Sequence, residues 1–314
     1  MPHALRRASF DITLVCLAVT LLLGAALRLR NLTSSPGWFR DEGVYMEVAW
    51  NAAHGEARLG PINHTWVSPF QTIPPLYPLA SGAWMRTIGA LRGDERPNIQ
   101  PFRWFSVGCG LLVIAGAYGL GLALGSPLLG LLAAALLAFD PLTVMFHRMG
   151  LPYNLLAVEV VATLGLAHLY FREPRLTRLL APTLVAAMAP LTIYYGVALP
   201  LALILGVALM GRLRDVWLAS LSILPLALFL CGLWWVHPLG LEADWAQFRA
   251  DSSGTWSLAD WTQDFRDLFA TTPLITLGLV GLLMLRRGGV SLVTQLTALI
   301  YLFLWLRRSH NNIW

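Results

Sequence analysis

The sequence predicts an all-α fold, a polytopic bundle of about 9–10 transmembrane helices with two outer loops that carry interfacial helices. Hydrophobic residues fill 57% of the 314 positions and charged residues only 12%. Apolar runs of roughly 17 residues or more recur along the chain, long enough to cross a hydrocarbon core. The apolar–polar alternation of a membrane β-barrel is absent, which leaves helices as the means of satisfying the backbone in lipid.

The first element follows a basic lead, Arg6 and Arg7, and runs from about Ile12 to Leu27. Arg28 and Arg30 come directly after it. A cleaved signal peptide would have a shorter core and a small-residue cleavage site, so this is read as a retained first span. Further apolar segments fall at about 74–91, 103–123, 128–146, 154–171, 179–193, 195–210, 216–236, 272–285 and 289–306. Two long polar stretches separate them, 30–73 and 237–271, both read as outer loops. No internal repeat is visible, which weighs against a transporter built from duplicated halves. The whole of 1–314 reads as one membrane-embedded domain, and its stop at "WLRRSHNNIW", directly after the last segment, reads as a C-terminal truncation.

The net charge is +5, and every one of the 22 basic residues is arginine. Charge of this sign at membrane ends sets topology and calls for no nucleic-acid partner. Cys16, Cys109 and Cys231 all lie inside apolar runs; they form no metal spacing or disulfide framework, and neither metal nor cofactor is expected.

Arginine placement conflicts with simple alternation of spans. Arg86, Arg92, Arg96 and Arg103 ask for the inner side, as do Arg172, Arg175, Arg178, Arg212, Arg214, Arg286 and Arg287. Alternation of all the segments would put the last seven of these outside. The expectation is therefore that one segment within 103–171 fails to span fully. The candidate is 128–146, which runs into "FDPLTVMFHRMGLPYN" with Pro141 and Pro152 as breakers.

In the late loop, Leu258, Trp261, Phe265, Leu268 and Phe269 share one helical face, as in a helix lying on the membrane surface. In the first loop, "GWFRDEGVYMEVAW" places Arg40, Asp41 and Glu42 ahead of an apolar stripe, Val44, Tyr45, Val48, Ala49 and Ala52. The stripe predicts an amphipathic helix over 42–54. On the bland reading, Asp41 is its N-cap and Glu42 a favourable first-turn acid, together contributing ~1 kcal/mol. On the functional reading they are the edge of an active site, and Arg40 is an interface anchor.

The order of first span, acidic pair, juxtamembrane helix, second polar stretch and then "PPLY" (Pro74 to Tyr77) resembles the lipid-linked-sugar-dependent type C glycosyltransferases. The resemblance is nearest to the protein O-mannosyltransferase and aminoarabinose-transferase superfamily. "NIQPFRWFSVGCG" looks like that family's next span, with an Arg at its start, and "LLAFDPLTVMFHRMGLPYNLL" looks like the Pro-containing segment facing the sugar-donor cavity. The resemblance implies Asp41 as the catalytic residue, Glu42 as its partner, and Arg148 at the donor. The family's downstream acid falls on Asn154 here. A Thr–Lys pair near the lipid phosphate becomes Thr192 and Ile193.

What the resemblance implies is a sugar moved from a polyprenyl-phosphate donor to an acceptor hydroxyl or amine at the outer membrane face. Phosphate leaves as a stable anion and needs cations and hydrogen-bond donors. The acceptor needs a base, so one carboxylate suffices for a single inverting displacement. His64, His147, Asn154 and Tyr77 are further candidates to touch donor or acceptor, each set against a structural or interfacial role. The partners expected are the lipid-linked donor, membrane lipid, and an acceptor that is protein, lipid or glycan, in a multi-pass protein of a bacterial or archaeal plasma membrane. A non-catalytic scaffold of the same fold, or a transporter of lipid or polysaccharide, remains the alternative.

Overall fold

The computed structural model describes residues 3–37, 40–55, 73–93, 96–236 and 289–309. Among these, every regular element is helical. The chain divides into two compact units, Met1–Gly165 with Leu191–Ile193, and Leu166–Pro190 with Tyr194–Trp314. The interfacial helix expected within 237–271, the segment 272–285 and His64 lie outside the described residues.

In the first unit, α1 (His3–Leu29) turns Ile12, Val15, Val19, Leu22 and Leu23 outward and buries Thr13, Thr20 and Arg28 on one stripe. That stripe packs on α4 (Ile99–Ala123) and α5 (Pro127–Phe139), where Leu17 and Leu21 meet Ile114, Tyr118, Ala134 and Ala138. Deep in this seam the Thr13 and Tyr118 hydroxyls lie 2.9 Å apart. Lipid supplies no hydrophobic drive between helices, so close approach has to come from small residues. Gly121 and Gly130 provide it between α4 and α5: a Cβ on Gly121 would fall 2.1 Å from the Gly130 Cα.

A bend of 69° separates α5 from α6 (Pro141–His147). Pro141 has no N–H to continue α5. Asp140, in an extended conformation, closes one helix and caps the next by accepting from the Thr143 amide at 2.7 Å and its hydroxyl at 2.6 Å. The break expected from Pro141 is thus present. Beyond the break, α6 leads to the end of the bundle from which α4 departs. There His147 meets Arg28, near the end of α1.

The helix expected over 42–54 is α2 (Arg40–Ala53), and it runs beside α3 (Leu76–Arg92). Tyr45 meets Tyr77 edge to face, Ala49 lies against Gly82, and Arg86 donates to the Ala53 carbonyl at 2.9 Å. These pairs ascend together, so α2 and α3 are parallel. α3 then crosses the first turns of α4. Tyr77 packs on Phe102 and Phe105, Trp84 donates to the Pro101 carbonyl, and the Arg92 guanidinium sits 4.3 Å above the Trp104 ring.

This arrangement corrects the topology read from the sequence. Arg103, in the first turns of α4, donates to the carbonyls of Leu32, Pro36 and Gly37, just beyond α1. The chain therefore re-enters the bundle at the end it left, and the segment 74–91 does not cross. It is also absent from the helices long and apolar enough to span. Those are Ile12–Leu29, Ile99–Ala123, Tyr153–Arg172 and Leu213–Trp235, with the bent pair α5–α6 as a fifth among the described residues. α7 (Tyr153–Arg172) carries Arg172, one of the arginines expected on the inner side, in its last turn. Within 103–171, the bent pair α5–α6 is the interrupted segment, a broken span or a re-entrant loop, as expected of 128–146.

In the second unit, α8 (Leu176–Thr192), whose last two residues belong to the first unit, carries Pro182 and Pro190 internally, and a short 3-10 turn, Tyr194–Val197, precedes α9 (Ala198–Leu209). α9 packs on α12 (Gly289–Ser309), with Gly206 against Val293. Between α9 and α12, α10 (Val216–Ser220) and α11 (Leu224–Val236) continue the chain. Tyr170, wholly buried, donates to Asp215 at 2.5 Å and fixes the last turn of α7 to the segment before α10.

Candidate active site

The acidic pair is split by the geometry of α2. The helix begins at Arg40, so Asp41 and Glu42 lie in its first turn, where the macrodipole favours negative charge. Consecutive residues on a helix point about 100° apart. Glu42 turns inward and is completely buried, whereas Asp41 turns outward and is exposed. Asp41 therefore stands within the helix and does not flank it as a cap. Its carboxylate has no hydrogen-bond partner among the described residues.

Glu42 is held from two sides. Arg103 donates from Nε to Oε1 and from Nη2 to Oε2, both at 2.7 Å, and the Gly150 amide adds a bond to Oε1 at 2.7 Å. Gly150 reaches it because its bare Cα lies against Phe102, whose ring would be 2.1 Å from a Cβ there. The remaining Arg103 donors go to Leu32, Pro36 and Gly37, so all five of its N–H groups are used. One ion pair thereby ties the end of α1, α2, α4 and the turn after α6 together.

That turn carries Arg148, which is half-buried. Its Nη2 donates to the carbonyls of Arg30, at 2.5 Å, and Asn31, at 3.2 Å, while its Nε is buried without a partner. Asn31 sits in the left-handed region, φ 50°, a conformation Asn tolerates better than most residues. Burial, and then the neighbouring Arg103 charge, lower the Arg148 pKa from its ordinary value. An anion beside it would relieve both.

The other expected site residues are placed differently. His147 is buried, its ring against Gly110, and its Nδ1 accepts from Nε and Nη2 of Arg28, each at 3.1 Å. Asn154, also buried, donates to the carbonyls of Phe146 and Met149 and shapes the turn that presents Arg148. Tyr77, expected to touch substrate, is wholly enclosed by aromatic rings, with its hydroxyl 3.5 Å from Ser106. Among the described residues no three His, Cys, Asp or Glu side chains gather as a metal site.

Two buried ionisable residues escaped the sequence reading. Arg28, directly after the first apolar run, is fully buried, bonded to His147 and to the carbonyls of Gly24, Leu137 and Ala138, with no carboxylate among its partners. Glu159 lies in the apolar run of α7, where an acid is itself the signal. Its Oε1 accepts from the Thr192 hydroxyl at 2.7 Å.

No curated protein and no solved structure matches the chain. A family profile does, over residues 78–235, half of the chain. The matched stretch includes Arg103, Arg148 and Asn154 and begins after Asp41 and Glu42. It covers α4 and the turn after α6, which bring Arg103 and Gly150 to the buried ion pair, and with it the chain belongs to the dolichyl-phosphate-mannose-protein mannosyltransferase family.

Proposed function

We propose that this membrane glycosyltransferase moves a sugar from a polyprenyl-phosphate donor to an acceptor hydroxyl or amine at the outer face, by a single inverting displacement with Asp41 as general base. The observation that carries the reading is the contrast within the acidic pair. Glu42 is buried and fully engaged by Arg103 and Gly150, while Asp41 is exposed and unengaged among the described residues. A base must be free to take a proton; a structural carboxylate must not be. In the reaction, Asp41 accepts the acceptor proton, the acceptor oxygen bonds to the anomeric carbon, and the bond to the phosphate oxygen breaks. Polyprenyl phosphate leaves with the electron pair. Arg148, with its Nε unpartnered, is the cation for that phosphate, and buried Arg28 adds positive potential that no carboxylate partner offsets.

The test compares wild type with Asp41→Asn at matched membrane expression, using a panel of polyprenyl-phosphate sugars. Transfer is expected to fall by roughly 100- to 10,000-fold, the usual range for a lost general base, with donor binding intact. Equal transfer by both proteins removes Asp41 from the chemistry.

A further inference from the structure

Halfway along α7, two buried side chains each carry an oxygen without a hydrogen-bond partner. Glu159 is 6% exposed and Thr163 is fully buried. Glu159 uses Oε1 for Thr192, but its Oε2 has no hydrogen-bond partner, and neither does the Thr163 hydroxyl. The two side chains are four residues apart and so share one helix face. Threonines inside helices normally bond back to the carbonyl four residues earlier, as Thr20, Thr87, Thr183 and Thr297 do here. Thr163 does not, and the carbonyl it passes over is that of Glu159 itself.

We infer that Glu159 and Thr163 form a ligand site inside the membrane-spanning part of α7, and that it takes one O–H group. The polarity of the unmet atoms selects this class. Thr163 has a proton to give, and an ionised Glu159 has a lone pair to fill, so the ligand must both accept and donate. A metal cation would satisfy the carboxylate and leave the Thr163 proton without an acceptor. An anion would face a carboxylate. A hydroxyl serves both groups, and it still does so if Glu159 carries a proton, by accepting from each. The oxygen belongs either to a resident water, which needs two or more polar partners of this kind, or to a hydroxyl of a sugar substrate. The second case alone rests on the transferase reading.

The sign of one substitution decides. Removing an unpaired buried hydroxyl is neutral or stabilising, whereas removing a paired one destabilises. With the full chain in lipid nanodiscs, Thr163→Val is measured against wild type, with Thr163→Ser as the hydroxyl-retaining control. Polyprenyl-phosphate mannose is the substrate probe. A resident water predicts a melting temperature lowered by about 2 °C or more in the valine variant, restored by serine, with KM unchanged. A substrate hydroxyl predicts equal melting without donor, loss of the donor-induced rise in melting temperature, and a KM raised about tenfold. A valine variant at least as stable as wild type, with the same donor response and KM, overturns the inference. The melting arm needs no transfer activity, so its result stands whether or not Asp41 is the base.

Discussion

Arg103 and Glu42, 61 positions apart in the chain, meet in a two-pronged ion pair at 2.7 Å in which neither side chain reaches solvent. Such a pair is poor evidence for net stability, since desolvating two charges offsets most of their attraction. Its weight lies in what it positions. The guanidinium collects the chain leaving α1, the carboxylate orients the first turn of α2, and Gly150 brings in the turn that carries Arg148. Breaking one partner leaves the other charged and buried. Glu42→Gln is therefore expected to cost about 3–5 kcal/mol, read as a lower melting temperature and lower yield. In the double variant with Arg103→Gln the losses are expected to sum to less than the two singles, by the coupling of residues in contact. Additive losses would show that the pair does not act as a unit.

The same contact predicts topology. If the chain from 32 to 103 stays at one end of the bundle, cysteines placed at Ser34 and Leu91 must be labelled by an impermeant maleimide from the same side. A cysteine at Arg175 must be labelled from the opposite side. Leu91, 79% exposed, is a suitable reporter. Cys16 and Cys231 are exposed in the fold and are replaced first. Labelling of Leu91→Cys together with Arg175→Cys, and opposite Ser34→Cys, would return 74–91 to the spans.

Why the sequence misplaced that segment is a matter of range. Local features were readable: the first span, the α2 stripe and the Pro141 break all depend on residues within a few turns of each other. Segment 74–91 is apolar enough to pass for a span, and Arg86, Arg92 and Arg96 look like inner-side markers. Nothing local says that Arg86 caps α2 or that Arg92 lies on Trp104. The contact of His147 with Arg28 is beyond local reading for the same reason, since the two lie 119 residues apart. Glu159, by contrast, is legible from local sequence, as an acid within an apolar run.

The α2–α3 crossing gives a packing prediction. A Cβ on Gly82 would fall 2.1 Å from the Ala49 carbonyl oxygen, which is backbone and cannot swing away. Gly82→Ala is expected to push α2 from α3 and cost about 1–3 kcal/mol by overpacking. Asp41 rides on α2, so transfer should fall further than the melting shift alone accounts for. Gly108→Ala, with nothing within 4 Å, is the matched control and should change neither. Equal behaviour of the two variants would mean that α2 is not held by this contact.

Arg148 separates positive charge from shape. Its Nη2 is committed to the carbonyls of Arg30 and Asn31, while Nη1 and the buried Nε have no hydrogen-bond partner among the described residues. Arg148→Gln removes the charge and is expected to raise the donor KM about tenfold to a hundredfold, the equivalent of one charge-assisted hydrogen bond of about 1.5–3 kcal/mol. Arg148→Lys keeps the charge, but an ammonium on a flexible stem cannot hold the two carbonyls and reach a phosphate in one geometry. Its KM should fall between wild type and the glutamine variant. Raising ionic strength should narrow the gap between them if the contact is partly solvated. The acceptor KM should stay unchanged in all three proteins. A donor KM that is the same for arginine and glutamine would place the lipid phosphate elsewhere, with Arg148 left as a strut between the α6 turn and the end of α1.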